Sequence, residues 1–385
     1  MQNATLSAFL RRWSAAAPHD LSASESATLL LRDLLGMAAP EDLQRWQDLA
    51  FAYSDPRGAP WLRETIAATY GTLAGGDVLC FAGAQEAIAC TARALLGPLD
   101  HAIVVVPCYQ PSELAVTAVA PATGVALDQT AGWGLDLDRV AAAIRPSTRM
   151  VVTNFPNNPT GALVDRTTLD ALIALCRQRR LWLVNDEVYR LIDRDPATRL
   201  PQVADLYERG ISVNALSKSF GLPGLRVGWV ACRDQAALTR MQLVKSTQSG
   251  SLATPSEVLA QIALRAQLPI LKRNGAIAEA NLGRLRGFFA RHANLFVWDE
   301  PTAGVTAFPR YLGPEGVESF VETLAREAGV LVLPASIWRS ALAPTPTDRF
   351  RVGFGGTGVI AALAAWETFL TCPDRTAALV PEVAS

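Results

Sequence analysis

The residues best suited to chemistry in this sequence gather around one lysine. Lys218 lies in the stretch NALSKSFGLPGLRVGW (214–229), after an apolar run that includes Ile211, Val213 and Leu216 and before a loop rich in glycine and proline. Eight residues on comes Arg226, inside a second apolar run, 225–231. A lysine at a strand-to-loop junction, between Ser217 and Ser219, can reach a pocket instead of solvent. Held partly out of water it gives up its proton more readily, and the free amine suits Schiff-base formation with an aldehyde. A surface lysine beside a glycine loop is the plainer reading of the same residues.

Further stretches carry groups of matching chemistry. FAGAQEA (81–87) ends a short apolar run and opens a helical one. Exposed N–H groups at a helix start, with the dipole behind them, make an anion site suited to phosphate, although an ordinary loop-to-helix junction reads the same way. VPCY (106–109) sets Tyr109 just past a strand end, where it can stack on a flat ring or fill the core. NFPNNPTG (154–161) contains an Asn-Pro-Thr-Gly turn. NDEVY (185–189) closes an apolar strand on Asp186, and the C-terminal edge of a parallel sheet is where such folds bind ligands. DRFRVGF (348–354) puts Arg351 in a strand near the C-terminus.

These groups need a scaffold, and the pattern of the chain supplies one. Amphipathic periodicity covers 6–13 and a helix-like run covers 26–37, with a loop composition between them. From 78 to 231 short apolar runs alternate with helical stretches. The strand candidates are 102–106, 150–154, 182–185, 211–216 and 226–231, with helical periodicity at 85–96 and 167–178. Such alternation predicts an α/β fold, a mostly parallel central sheet with helices on both faces. A long helical region follows from about 255 to 292. Strands near 295–298, 305–309, 330–333 and 350–353 then mark a smaller α+β part. The expected division is a large domain over 46–270 and a small one from 1–45 and 271–385.

Composition narrows the partners. Half the residues are hydrophobic, enough for a full core, and the 35 basic and 36 acidic residues leave a net charge of −1 with no basic block. Nucleic acid and anionic membrane are therefore poor partners. No uninterrupted apolar run is long enough to span a bilayer. The N-terminus, MQNATLSAFLRRW, lacks the apolar core of a signal peptide. The six cysteines show neither CxxC nor metal spacing and read as small core residues of a cytoplasmic protein.

From about Tyr53 to Phe354 the order and spacing of these motifs resembles the fold type I, class I/II aminotransferases. Within that family the chain is similar to a branch that includes capreomycidine synthase and related enzymes acting on arginine derivatives. DLSASES, TPSE and AGVTAFPR carry that likeness together with the lysine string. The resemblance implies a pyridoxal 5′-phosphate (PLP) enzyme that moves an amino group between an amino acid and a 2-oxo acid. Elimination, cyclisation or oxidation of an arginine derivative is the alternative outcome. It implies Lys218 as covalent anchor and general base, Asp186 as partner of the ring nitrogen, and Tyr109 stacked on the ring. Asn158 and Tyr189 would bond the phenolic oxygen. The Gly83-Ala84-Gln85 turn, Ser217 and Arg226 would hold the phosphate, with Tyr53 reaching it from the other subunit of a homodimer. Arg351 would grip the substrate carboxylate, as suits a planar fork, with Asn158 beside it. Ala215 departs from the pattern: many members carry Ser or Thr there, and a hydrogen bond to a charged group is worth on the order of 1.5–3 kcal/mol.

Other readings compete. GFGGTG (353–358) formally matches GxGxxG, but a nicotinamide site needs a further strand carrying an acid, and the chain runs instead into TCPD (371–374). An aminotransferase-like ligand sensor would be expected to carry a DNA-binding module, which the short neutral N-terminus does not provide. His19, His101 and His292 belong to no motif and offer no metal spacing. Glu25 has two readings. Ser22-x-x-Glu25 before an apolar run is a capping box; alternatively, its carboxylate faces the active-site mouth and selects a basic substrate side chain.

Overall fold

The alternating pattern folds around one sheet. The structure, a computed structural model, describes residues 6–372. After a two-residue strand, His19–Asp20 (β1), come Val78–Phe81 (β2), His101–Val106 (β3), Ala122–Ala126 (β4), Thr148–Asn154 (β5), Trp182–Asp186 (β6), Gly210–Ala215 (β7) and Gly228–Ala231 (β8). These last seven form a sheet in the order β2-β8-β7-β6-β5-β3-β4. All neighbours pair parallel except β8, which is antiparallel to both β2 and β7. Six strands therefore end at one edge of the sheet, and β8 begins there.

The sheet has two covered faces, which is why β2, β3, β6 and β7 are buried along their whole length. Alternation along β3 separates the faces. Ile103 and Val105 share a core with Leu169 and Ile173 of the helix Arg166–Arg179. Val104 and Val106 share another with Ile88 of the helix Ala84–Leu95 and Met241 of the helix Gln235–Ser246.

After the helices Thr254–Arg265 and Gln267–Arg291, the chain makes the short strands Phe296–Val297 (β9), Thr306–Ala307 (β10), Arg310–Tyr311 (β11), Val330–Leu331 (β12), Leu333–Pro334 (β13) and Phe350–Gly353 (β14). β14 lies between β10 and β13, antiparallel to both, while β11 pairs with β9 and β1 runs parallel to β12. Phe288, Phe296, Phe320 and Phe350 pack their rings around Trp366. This aromatic cluster is continuous with the core on one face of the large sheet.

Several details differ from what the sequence suggests. The stretch 26–37 is not one helix: 26–30 is extended and only Leu31–Leu35 is helical. The backbone of the extended part is engaged elsewhere. Ser26 N–H donates to the Lys218 carbonyl at 3.0 Å, and Arg273 donates to the carbonyls of Ala27 and Thr28. No helix starts at Ser22, so the capping box does not form; the next helix has Leu30 as its N-cap with no side-chain bond. Arg226 lies ahead of β8 in a left-handed turn with φ 53°.

The glycines of GFGGTG have a packing explanation. A Cβ on Gly353 or Gly355 would meet the carbonyl oxygen of Ala23 or Glu25 at 1.6 and 2.4 Å. They let the segment around 20–26 cross close over β14 and its following turn. The part of the TCPD stretch beyond Cys372 lies outside the described residues. Cys80, Cys90, Cys108, Cys176 and Cys232 are buried and Cys372 is exposed. His101 is tied between Thr148 and Thr123 at 2.8 and 2.9 Å, and His292 meets Glu367. Among the described residues no cluster has metal-ligand character, and no helix is long and apolar enough to cross a membrane.

Candidate active site

Where the six strand ends meet the start of β8 there is a cavity of about 310 Å³. Ala84, Gln85, Tyr109, Asn158, Asp186, Tyr189, Ser217, Lys218 and Arg226 all line it, so residues spread over more than a hundred positions are brought together. The topology does this. Asp186 ends β6, Ser217 and Lys218 follow β7, Asn158 follows β5, Tyr109 follows β3, and Gly83 follows β2. Arg226 reaches the same edge only because β8 runs the other way.

One end of the cavity suits an anion. The helix Ala84–Leu95 starts at Gly83 (φ 96°) with no side chain capping it, so the N–H groups of its first turn have no intrahelical acceptor. The Arg226 guanidinium lies over this turn, donating to the carbonyls of Ala82 and Pro223 at 3.1 and 3.2 Å. A Cβ at Gly83 would meet its Nη2 at 2.3 Å, so glycine is what admits the arginine. Ser217 adds a hydroxyl to the same wall, and Ala215 lines the wall without one.

The opposite end holds the buried acid. Asp186 Oδ1 accepts from Val188 N–H at 3.2 Å, and burial pushes the carboxyl up to about 6, against the pull of that bond and of Lys218. Its neighbour Glu187 points into the core instead, where its Oε1 accepts from Val203 N–H, Ser212 and Asn185, and burial raises it to about 7. Tyr189 is buried, and its hydroxyl faces the Ser24 side chain. The Tyr109 hydroxyl is likewise raised by burial.

Lys218 stands between these ends, its side chain 25% exposed. Its Nζ donates to Ser24 Oγ at 2.7 Å and lies 3.5 Å from Glu25 Oε2. Burial lowers the proton affinity of the amine, with Arg351 adding to the effect and Glu25 opposing it. Arg351, on β14, is buried. It donates to Asn158 Oδ1 at 3.0 Å and to the Ser22 carbonyl, with Trp338 4.9 Å away across its face.

Gly83, Glu25 and Arg351 thus join the cavity through these contacts, whereas Tyr53 does not. Its side chain is 99% exposed, beside an equally exposed Phe51. Sequence reasoning missed three participants. Asn154, at the end of β5, donates to the Asp186 carbonyl at 2.9 Å and accepts from Asn158 N–H at 2.9 Å, fixing two cavity residues at once. Asn157 donates to the Pro107 carbonyl at 3.1 Å and so anchors the loop that carries Tyr109. Ser24 belongs to a serine-rich stretch with no local signal of its function. Only the first two are legible, as members of NFPNNPTG.

Comparison with known proteins agrees with this geometry. The family "Aminotransferase class I and II" matches residues 32–364. Capreomycidine synthase of Streptomyces vinaceus is 31% identical over 310 residues, covering 80% of this chain and 77% of that protein. The arginine–pyruvate transaminase of Pseudomonas aeruginosa is 39% identical over 189 residues, 46% of this chain and 47% of that one. A PLP-dependent aminotransferase structure from Streptococcus suis matches with a TM-score of 0.87 and 28% identity, over 94% of this chain and 96% of that one.

The donor set fits pyridoxal 5′-phosphate, the cofactor these comparisons imply. The uncapped helix start and Arg226 could hold its phosphate. The Tyr189 hydroxyl and Asn158 could meet its phenolic oxygen, Asp186 its ring nitrogen, and the Lys218 amine its aldehyde.

Proposed function

The chain belongs to the class I and II aminotransferases and is a PLP-dependent enzyme; on that premise we propose that it moves an amino group between an amino acid and a 2-oxo acid. The observation that carries this is the half-buried Lys218 amine in one cavity with the Asp186 carboxyl and an uncapped helix start. Bound PLP supplies an aldehyde for the amine and a ring that accepts electrons. Lys218 anchors the cofactor covalently. When not so engaged, Lys218 would be the base at the substrate α-carbon, taking its proton and holding it for return. Asp186 keeps the ring nitrogen protonated, Tyr109 stacks on the ring, and Asn158 and Tyr189 bond its oxygen. The Gly83-Ala84-Gln85 turn, Ser217 and Arg226 hold the phosphate. Arg351 binds the substrate α-carboxylate: each of its Nη atoms keeps a hydrogen beyond the one given to Asn158 or Ser22, in the planar arrangement that matches two oxygens.

The same reading takes the enzyme as a cytoplasmic homodimer, with the exposed Tyr53 of each subunit reaching the phosphate of the other. It takes 46–270 as the cofactor domain and 1–45 with 271–385 as the small one.

A specific observation favours a second reading of the substrate. Glu25 holds a carboxylate 3.5 Å from the Lys218 amine, where it would pair with a basic side chain. The named relatives include a capreomycidine synthase and an arginine–pyruvate transaminase. The substrate is then an arginine or arginine derivative, and elimination with cyclisation competes with transamination. One experiment separates the outcomes: incubate the holoenzyme with each amino acid and with a β-hydroxylated arginine, whose hydroxyl can leave as water, follow the cofactor spectrum, and identify products by mass. A 2-oxo acid matching the donor supports transamination; a dehydrated or cyclised product supports the second reading. Spectral silence with all amino acids would remove both.

A further inference from the structure

The segment from Asp20 to Thr28 passes beside Lys218 and is tied down on both sides of Ser24 and Glu25. Leu21 N–H donates to the Leu331 carbonyl at 2.9 Å, and the Leu21 carbonyl accepts from Gly353 N–H at 2.7 Å. The Ser22 carbonyl accepts from Arg351, Ser26 N–H donates to the Lys218 carbonyl, and Arg273 holds the carbonyls of Ala27 and Thr28. This strap is fixed by its peptide groups to the small sheet, to the lysine loop and to the helix Gln267–Arg291. The side chains it carries inward are therefore held at fixed positions.

Two of those side chains meet Lys218. Ser24 is buried, and its Oγ accepts from Nζ at 2.7 Å. Its own N–H donates to Glu25 Oε2 at 3.1 Å, which draws the carboxylate alongside the amine at 3.5 Å. The other charged or titratable groups acting on the amine are Arg351 and Tyr109, with Asp186 across the cavity. The hydroxyl and the carboxylate differ in what they hold. A carboxylate favours the ammonium form, which has no lone pair to take a proton. A hydroxyl accepts a hydrogen bond from the neutral amine and the ammonium alike and stays neutral itself at working pH.

We propose that Ser24 is a positioning residue for Lys218: its hydroxyl is the rest on which the amine sits whenever it is not covalently engaged, with the lone pair left facing the cavity. The inference rests on the reading of Lys218 as the base at the substrate α-carbon. A free lysine side chain samples many rotamers, and a base displaced by about 1 Å loses on the order of a hundredfold in rate. A fixed acceptor on a clamped strap removes that freedom in both protonation states.

The test uses Ser24→Ala, which removes one oxygen and adds nothing, and Ser24→Thr, which restores the hydroxyl. In cofactor-free protein, the rate at which acetic anhydride acylates Lys218, mapped by mass spectrometry, should fall several-fold in Ser24→Ala, where Glu25 is left to hold the amine as ammonium, and return towards wild type in Ser24→Thr. A wild-type rate in Ser24→Ala overturns the proposal. In the holoenzyme, Ser24→Ala should lower kcat about tenfold with KM and melting temperature little changed, and should enlarge the isotope effect with an α-deuterated amino acid. A loss of rate with an unchanged isotope effect assigns Ser24 a structural role and also overturns it. If the wild type reacts with no amino acid, the transamination reading falls, while the acylation rates still decide the question about Ser24.

Discussion

The two walls of the cavity are built on different plans. The cofactor wall is made by the edge of one sheet, with each group sitting a few residues past a strand end and the strands buried on both faces. The substrate wall, as proposed above, is assembled around it from distant pieces: the strap at 20–28, whose Ser24 and Glu25 meet Lys218, and β14, whose Arg351 meets Asn158 and stands beside Trp338. The first wall takes its geometry from a sheet whose register is fixed by hydrogen bonds. The second takes its geometry from single crossing contacts, such as Arg351 with the Ser22 carbonyl and Gly353 beneath Ala23. The difference teaches where variation is tolerated. A change in the cofactor wall should strike the chemistry common to all substrates, and a change at the groups that face the substrate, Arg351 and Glu25, should strike its binding.

The hardest test of that division is Lys218→Ala. Turnover should fall by 10²–10⁴-fold or more, on the order of what a positioned base contributes. The cofactor should then be held only noncovalently, with no borohydride-fixed adduct; an adduct persisting on another lysine would break the assignment of this wall. Asp186→Asn comes next. Loss of a charge-assisted bond to the ring nitrogen is worth about 1.5–3 kcal/mol, a tenfold to hundredfold drop in kcat, and near-normal rates for every donor would show that this carboxyl does not face the ring.

The neighbouring acid sharpens the same point, because Asp186 and Glu187 leave one strand end in opposite directions. Both have folded pKa values raised by burial, from 3.8 to about 6 and from 4.5 to about 7. The native state of the cofactor-free protein thus binds protons that the unfolded chain has released, and stability should fall as pH rises between about 4 and 7. Each group contributes of order 2–3 kcal/mol across its window. Denaturant midpoints should show Glu187→Gln removing the upper part of that slope. Cofactor binding should suppress the share due to Asp186 and leave the share due to Glu187.

On the substrate wall the expected effects are smaller and fall on KM. Arg351→Lys keeps the charge but loses the planar fork, so KM should rise about tenfold for every amino acid, with kcat nearly kept in steady-state assays. Glu25→Gln should raise KM a few-fold for basic amino acids alone, the scale of a partly exposed ion pair at roughly 0.2–1 kcal/mol. Equal rises for all donors would mean that Glu25 acts on Lys218 and not on the substrate side chain.

Much of the cofactor wall is legible in the amino-acid sequence itself. Lys218, Asp186, Tyr109 and the 83–85 turn sit next to apolar runs, and in a parallel sheet the end of each run falls at the same edge. Local pattern therefore carries tertiary meaning there. The α/β class follows from the same alternation. What the linear pattern leaves undecided is the direction of β8, since an apolar run reads alike in either sense. That reversal is what brings Arg226 to the phosphate turn, and a left-handed backbone at Arg226 completes it. The strap escapes the linear pattern for a related reason. The stretch 26–37 has helical periodicity, but the peptide groups of its first residues are bound by Lys218 and Arg273, from remote parts of the chain. Glu25 consequently meets Lys218 instead of closing a capping box with Ser22. Such pairings depend on which distant groups reach a backbone first, and that is set by the packed core, not by any window of sequence.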